Sequence, residues 1–384
     1  MDLTFSVEEE QFRAELRAWL AANVPAVPEF ATLAEEVRFL VGWQRQMAAA
    51  GWVGVHWPRA YGGRGATTVE NYLLQEELAR ARAPEVIGRI GVNLVGPTLI
   101  HYGSEAQKAR HLPRILAADE LWCQLFSEPN AGSDLASLRC RAEREGDDFL
   151  VTGQKVWTSY AQFADWGIIL ARTDPGSRGG KGISFLIVDM RSPGITVRPL
   201  TQMTGSDEFN EVFLEAVRVP AVNLVGELHQ GWTIAQTTLS HERGTSPRQL
   251  VVHRILLGEL LALARETGAD ADPLIRQQLA QVCIEVEMTK LHNWRTLTQL
   301  RRTGKPGPES SLVKLFWSEM SQRLHDVAMQ VLGVAGQHWP GEPRAVANGR
   351  WQRSYLYYRA ASIFAGTNEV QRNIIAQRVL GLPR

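Results

Sequence analysis

Apolar positions along the chain change their period twice. From Ser6 to about residue 120 they recur at helical spacing: Phe12, Leu16, Trp19 and Leu20 form one stripe, and Val37, Leu40, Val41 and Met47 form a second. Ser6 with Glu9, Thr67 with Glu70 and Ser104 with Gln107 have capping-box spacing, in which two side chains satisfy the first free amides of a helix. Pro25 and Pro28 end the first helix. The second runs from about Leu33 to Ala50 and Gly51 stops it; a third carries Tyr72, Leu73, Leu74 and Leu78.

From about 121 to 225 the helical period is replaced by short β-rich runs: Phe149–Val151, Trp166–Arg172, Ile183–Val188, Ile195–Val197 and Glu211–Val217. Gly146-Asp147-Asp148 and Asp174-Pro175-Gly176 separate some of them as turns. This predicts a small all-β domain, a barrel or sandwich. From about 226 onward the helical period returns. Asp272-Pro273 starts a helix with the stripe Leu279, Val282, Val286, Leu291, Trp294 and Leu297. Thr303–Pro308 breaks the chain, Pro308 to Leu332 forms another long helix, and Trp351–Phe364 and Thr367–Leu380 are the last two. Long helices joined by short loops predict a four-helix bundle. The pattern therefore predicts an α+β multidomain chain: an N-terminal helical domain (1–120), a middle β domain (121–225) and a C-terminal helical bundle (226–384).

A length of 384 residues, 45% hydrophobic, supports a large core and two or three domains. Lysine plus arginine equal aspartate plus glutamate at 41 each, which gives no electrostatic footprint for nucleic acid or an anionic membrane. No apolar run approaches the roughly 18 residues of a membrane span, and the acidic N-terminus lacks a signal-peptide pattern. Cys123, Cys140 and Cys283 lack metal-ligand spacing and the histidines are scattered. These features predict a cytoplasmic protein without a metal.

Candidate chemistry concentrates in Phe126–Ser137. This stretch places Pro129, Gly132 and three serines after the apolar Leu121, Trp122 and Leu125. Such a segment is a shaped loop, either an anion site built from close backbone amides and hydroxyls or an ordinary surface turn. The glycine-rich Gly176–Gly182 lacks a P-loop pattern and is expected to be a solvated hairpin tip.

Five motifs in order resemble the acyl-CoA dehydrogenase family over almost the whole chain. Gly51-Trp52 through Pro58, Tyr61-Gly62-Gly63 and Gln75–Ala79 are similar to its N-terminal signature. Ser127-Glu128-Pro129 with Ala131–Asp134 resembles its first flavin motif, and Gly153–Ser159 the second. Val219-Pro220, Gly226-Glu227 and Gly231-Trp232 resemble the exit from the β domain, and Gly366–Arg372 the C-terminal motif. The resemblance implies FAD as cofactor. Ser133 would contact its pyrophosphate. Phe126, Ser127, Trp157 and Ser159 would line the isoalloxazine, with the two serines on its polar edge. A neighbouring subunit would supply Gln330 and the Gly366-Thr367 turn. Read without the family, Trp157 is equally a β-core aromatic, Ser159 a turn serine and Thr367 a plain helix cap.

The implied reaction is α,β-desaturation of an acyl thioester: a carboxylate removes the α-proton while hydride leaves the β-carbon for flavin N5. Many members carry that carboxylate just before the Gly-Thr of the C-terminal motif, where this chain has Ala365. A minority place it on the first long helix of the bundle, where this chain has Ser240-His241-Glu242-Arg243-Gly244. Glu242 is thus the candidate base; apart from the resemblance it reads as a solvated or ion-paired helix residue. Arg265-Glu266-Thr267-Gly268 is a shortened counterpart of the family's flavin-reaching Arg-x-x-Phe-Gly. The implied substrate is an acyl-CoA or an acyl carrier protein thioester, with an electron-transfer flavoprotein as acceptor, and the assembly is a homo-oligomer or a pairing with a paralogous subunit. Two other functions are open at this point: a flavin-dependent monooxygenase on the same scaffold, and a largely structural half of a heteromeric dehydrogenase.

Overall fold

The computed structural model describes residues 4–241, 247–303 and 307–383. In chain order its helices and strands are α1 (Val7–Asn23), α2 (Leu33–Ala49), α3 (Thr68–Arg80), α4 (Gly96–Tyr102), α5 (Glu105–Leu116), β1 (Trp122–Leu125), β2 (Arg141–Glu145), β3 (Asp148–Ser159), β4 (Trp166–Arg172), β5 (Ile183–Asp189), β6 (Ile195–Leu200) and β7 (Phe209–Pro220). There follow α6 (Gly231–His241), α7 (Pro247–Glu266), α8 (Pro273–Thr303), α9 (Ser310–Leu332), α10 (Arg350–Tyr358) and α11 (Asn368–Ile374). The class is the one the pattern predicts: helices, then a sheet, then helices. All three predicted capping boxes form, on α1, α3 and α5.

These elements fall into two compact units. One is drawn from Met1–Val24, Thr67–Ala83 and Arg243–Arg384; the other from Pro25–Ala66 and Pro84–Glu242. In the first, α7, α8 and α9 bury Leu260, Val286, Met320 and Leu324 in a common apolar core. Helices α1 and α3 of this unit are tied to each other by a charged contact. Arg13 and Arg17 both donate to the buried Glu77, at 2.7 Å from each Nε. Gly333, at φ +53°, stops α9 as expected.

In the second unit the strands form one seven-stranded sheet in the order β1-β4-β2-β3-β7-β6, with β5 on the other side of β4. Leu125, Phe149, Val151, Ile169, Leu186 and Val212 fill its core. Two strands, β1 and β2, have no counterpart among the predicted runs, and β3 is longer than its predicted run Phe149–Val151. In β2 only Ala142 of Arg-Ala-Glu-Arg-Glu is buried, so no apolar alternation marks it. In β3 the run extends through Ser159, past two register irregularities opposite β7. The helical part also holds an unpredicted π-helical turn, Gly91–Val95, leading into α4. The last two predicted helices are shorter: α10 passes into a 3₁₀ turn at Arg359–Ser362, and α11 into a π-turn at Ile375–Val379. Among the described residues no helix is long and apolar enough to cross a membrane.

Candidate active site

The loop after β1 and the middle of β3 are held side by side. The Val156 amide donates to the Ser127 carbonyl at 3.0 Å, and the Lys155 ammonium donates to the Phe126 carbonyl at 3.1 Å. The loop closes on itself through reciprocal bonds between Glu128 and Ala131, at 3.0 and 3.1 Å. The two sequence motifs of this unit are therefore one surface.

A β-bulge shapes that surface. Lys155 pairs with Val212, but Thr158 pairs with Asn210, so β3 carries one extra residue there. Trp157 sits in the bulge at φ +59°, a left-handed conformation that costs a non-glycine residue on the order of 1 kcal/mol. Its indole is 61% exposed, with Phe209 against it edge-on at 6.2 Å. Trp157 is therefore not a core aromatic. The strained backbone of the bulge turns this large apolar ring to solvent.

The predicted serines stand on the same two segments, Ser127 and Ser133 on the loop after β1 and Ser159 at the end of β3. Ser133 is exposed, while Ser127 and Ser159 are half-buried. Among the described residues their hydroxyls have no hydrogen-bond partner. Phe126 is different: its ring is buried and meets Phe185 edge-on at 5.8 Å, so only its backbone belongs to the loop surface.

The remaining described site residues belong to the other unit. Gln330 is exposed near the end of α9. Thr367 caps α11, its hydroxyl accepting from the Val370 amide at 3.2 Å. Ala365 and Gly366 are both left-handed, at φ +53° and +85°, and the Gln371 carboxamide holds the Gly366 carbonyl at 3.2 Å. Among the described residues the exposed Ala365 amide donates to nothing. Glu242 lies outside the described residues, immediately after α6.

Two features went unnoticed in the sequence. One is the role of Lys155 and Glu128, which stand inside the motifs but look like ordinary strand and loop charges. The other is a groove of about 590 Å³ lined by Ser137, Arg139, Arg141, Arg172, Ser177 and Arg178. Its floor is Arg172, whose guanidinium donates to the carbonyls of Ala136, Leu138, Gly179 and Lys181 between 2.9 and 3.3 Å. Arg141 pairs with Glu143 at 3.1 Å. Arg139 and Arg178 are exposed, and their guanidinium groups have no carboxylate partner among the described residues. The predicted hairpin tip at 176–182 is thus one wall of a basic groove.

Three family models match in succession: the acyl-CoA dehydrogenase N-terminal domain over residues 6–119, the middle domain over 123–217 and the C-terminal domain over 229–380. The chain belongs to the acyl-CoA dehydrogenase family, and it is an acyl-CoA dehydrogenase. It is 43% identical to acyl-CoA dehydrogenase IpdE1 of Mycobacterium tuberculosis (strain ATCC 25618 / H37Rv), over 98% of each chain. Among solved structures it is similar to the Tcur3481-Tcur3483 steroid ACAD (32% identity, TM-score 0.86, all of both chains). It is also similar to the ChsE4-ChsE5 complex from Mycobacterium tuberculosis (34% identity, TM-score 0.85, all of both chains).

Proposed function

We propose that this chain carries half of an FAD site and the base of an α,β-desaturation of a bulky, ring-bearing acyl-CoA, and that it works paired with a paralogous subunit. The observation that carries the flavin reading is the exposed, strained Trp157 on a strand bonded to the loop that bears Ser127 and Ser133, with the hydroxyls of these and of Ser159 unengaged among the described residues. A flat aromatic ligand with a polar edge and a pyrophosphate matches that set: the indole for the ring, Ser127 and Ser159 for the edge, Ser133 for the anion. FAD, when bound, supplies the hydride acceptor.

The chain's own residues do the rest. Glu242 removes the α-proton, a role for which Ala365 has no basic group. The Ala365 amide, which starts two successive left-handed residues and has no acceptor among the described residues, would donate to a thioester oxygen as charge develops there. Gln330 and the Gly366-Thr367 turn serve a flavin on a neighbouring chain. A carboxylate base is what separates this reading from a monooxygenase on the same scaffold. The relatives named as paired chains, Tcur3481-Tcur3483 and ChsE4-ChsE5, support a paralogous partner, and the word steroid in the first title supports a ring-bearing acyl group. The physiological acceptor is proposed to be an electron-transfer flavoprotein.

The test is co-expression with a paralogous chain, followed by anaerobic addition of acyl-CoA thioesters. A yellow complex bleached by ring-bearing acyl-CoA is the expected result. A colourless complex removes the flavin reading; a yellow one that bleaches only with NADH and a reductase, and consumes oxygen, favours the monooxygenase.

The basic groove supports CoA over a protein carrier as the thioester, because the nucleotide end of CoA brings phosphates to Arg139 and Arg178. In Arg139→Ala/Arg178→Ala, KM for an acyl-CoA is expected to rise about tenfold with kcat within about twofold, the pattern of lost uniform binding. With the acyl-pantetheine thioester, which lacks the nucleotide, the variant and wild type are expected to match. An equal KM effect on both substrates would exclude the groove from CoA binding.

A further inference from the structure

Lys155 is wholly buried, and its ammonium spends all three protons on fixed acceptors. They go to the Phe126 carbonyl at 3.1 Å, the Leu170 carbonyl at 2.8 Å and Glu128 Oε1 at 2.9 Å. Glu128 is itself buried. Its Oε1 also accepts from the Cys140 amide at 2.8 Å and its Oε2 from the Arg139 amide at 2.7 Å. The pair thus gathers both ends of the loop after β1, the start of β2, strand β4 and strand β3 onto one pair of charges.

A buried ion pair is a poor device for stability alone, since removing two charges from water offsets most of their attraction. Its value here is geometric. Lys155 is the last β3 residue in register before the bulge, two positions ahead of Trp157. Its other hydrogen bonds fix the residue that precedes Ser127 and the carboxylate that follows it. One side chain therefore sets the loop that bears Ser127 and Ser133 and the bulge that turns Trp157 outward, in a single frame.

We propose that the buried Lys155–Glu128 pair is a positioning device that holds the serine loop and the Trp157 bulge in register, so that both faces of the flavin-ring surface are set together. The inference rests on the flavin reading above. It concerns how tightly and in what environment the ring is held, not whether the chain binds it.

The test uses the assembled holoprotein and three variants: Lys155→Met, Glu128→Gln and the two combined. Flavin dissociation is followed by the recovery of free-flavin fluorescence, the ring environment by the long-wavelength flavin absorption band, and the fold by circular dichroism. The double variant leaves no unpaired charge buried, so it carries the test if either single variant does not fold. In it, flavin is expected to leave at least about tenfold faster, with a displaced band and an unchanged circular dichroism spectrum, because the Phe126 carbonyl has lost a charged donor. The double variant should be no worse than the worse single one, as for two residues acting as a unit. Dissociation within about twofold of wild type would overturn the proposal. So would loss of flavin in step with loss of the folded spectrum, which marks a purely structural pair. A wild-type complex without flavin would instead defeat the underlying reading, and the two failures are told apart by the wild type alone.

Discussion

Glu242→Gln is expected to abolish bleaching of the flavin by acyl-CoA while the protein stays yellow. The substitution keeps the size of the side chain and removes its basicity, so binding survives and proton removal does not. A positioned general base contributes about a hundredfold or more to such a step, and the loss should fall on kcat and kcat/KM together. Exclusion supports Glu242 as much as position does. Ala365 occupies the other site a base is found in this family, and it carries no basic group. Its left-handed backbone suits an amide offered to a ligand. Stopped-flow reduction under anaerobic conditions measures the effect directly. Bleaching at near the wild-type rate in Glu242→Gln would refute the assignment, since no carboxylate stands at the alternative position to take over.

What could be read from the sequence follows from which physical signals are local. Helix starts were legible because a capping box is a contact between residues three apart, and α1, α3 and α5 begin where Ser6, Thr67 and Ser104 place them. The end of α9 was legible because Gly333 takes a conformation that other residues resist. Strand β2 was not, because its pairing with β3 is carried by backbone bonds and a single buried alanine. The π-turn at Gly91–Val95 has no sequence signature of its own.

The same distinction governs the site. Phe126–Ser137 and Gly153–Ser159 stood out as motifs, and the fold brings them together. Nothing local told whether Trp157 faced the core or solvent. That depends on one extra residue opposite β7, a long-range register, and the bulge decides it. Lys155 was unreadable for a related reason: its three acceptors come from positions 126, 128 and 170. The groove joins side chains from β2, from the loop before it and from the β4–β5 connection, and Arg172, reaching across to the carbonyls of Ala136, Leu138, Gly179 and Lys181, ties these segments together.

Lowering the pH from about 6.5 towards 4 is expected to destabilise the C-terminal helices through two buried histidines. His253 on α7 donates from Nδ1 to the Gln249 carbonyl at 2.6 Å, so its Nε2 accepts from the Ser321 hydroxyl at 2.7 Å. His325 on α9 donates from Nδ1 to the Ser321 carbonyl at 2.7 Å, stacks on Tyr358 at 4.7 Å, and leaves Nε2 buried without a partner among the described residues. Burial pushes both imidazoles down to about 4. The neighbouring Arg359 and Arg350 and the other histidine add to this for His325. The folded chain therefore holds both rings neutral where the unfolded chain, with histidines near 6.5, binds protons. Stability falls as pH drops below about 6.5 and levels off near 4, by up to about 1.4 kcal/mol per pH unit per ring, or on the order of several kcal/mol for the pair. Glu77 acts in a different window. Burial raises its pKa, but the hydrogen bonds and charges of Arg17 and Arg13 outweigh this and hold it below the usual carboxylate range, so its contribution is lost as pH falls through and below the ordinary glutamate value. Urea unfolding near pH 7 and near pH 5, for wild type and His325→Phe, separates the groups. The phenylalanine keeps the stack on Tyr358 and removes one titrating ring, so the drop in stability between the two pH values should be about halved. An undiminished drop would assign the acid sensitivity to other groups, because a ring that no longer titrates can bind no proton on unfolding.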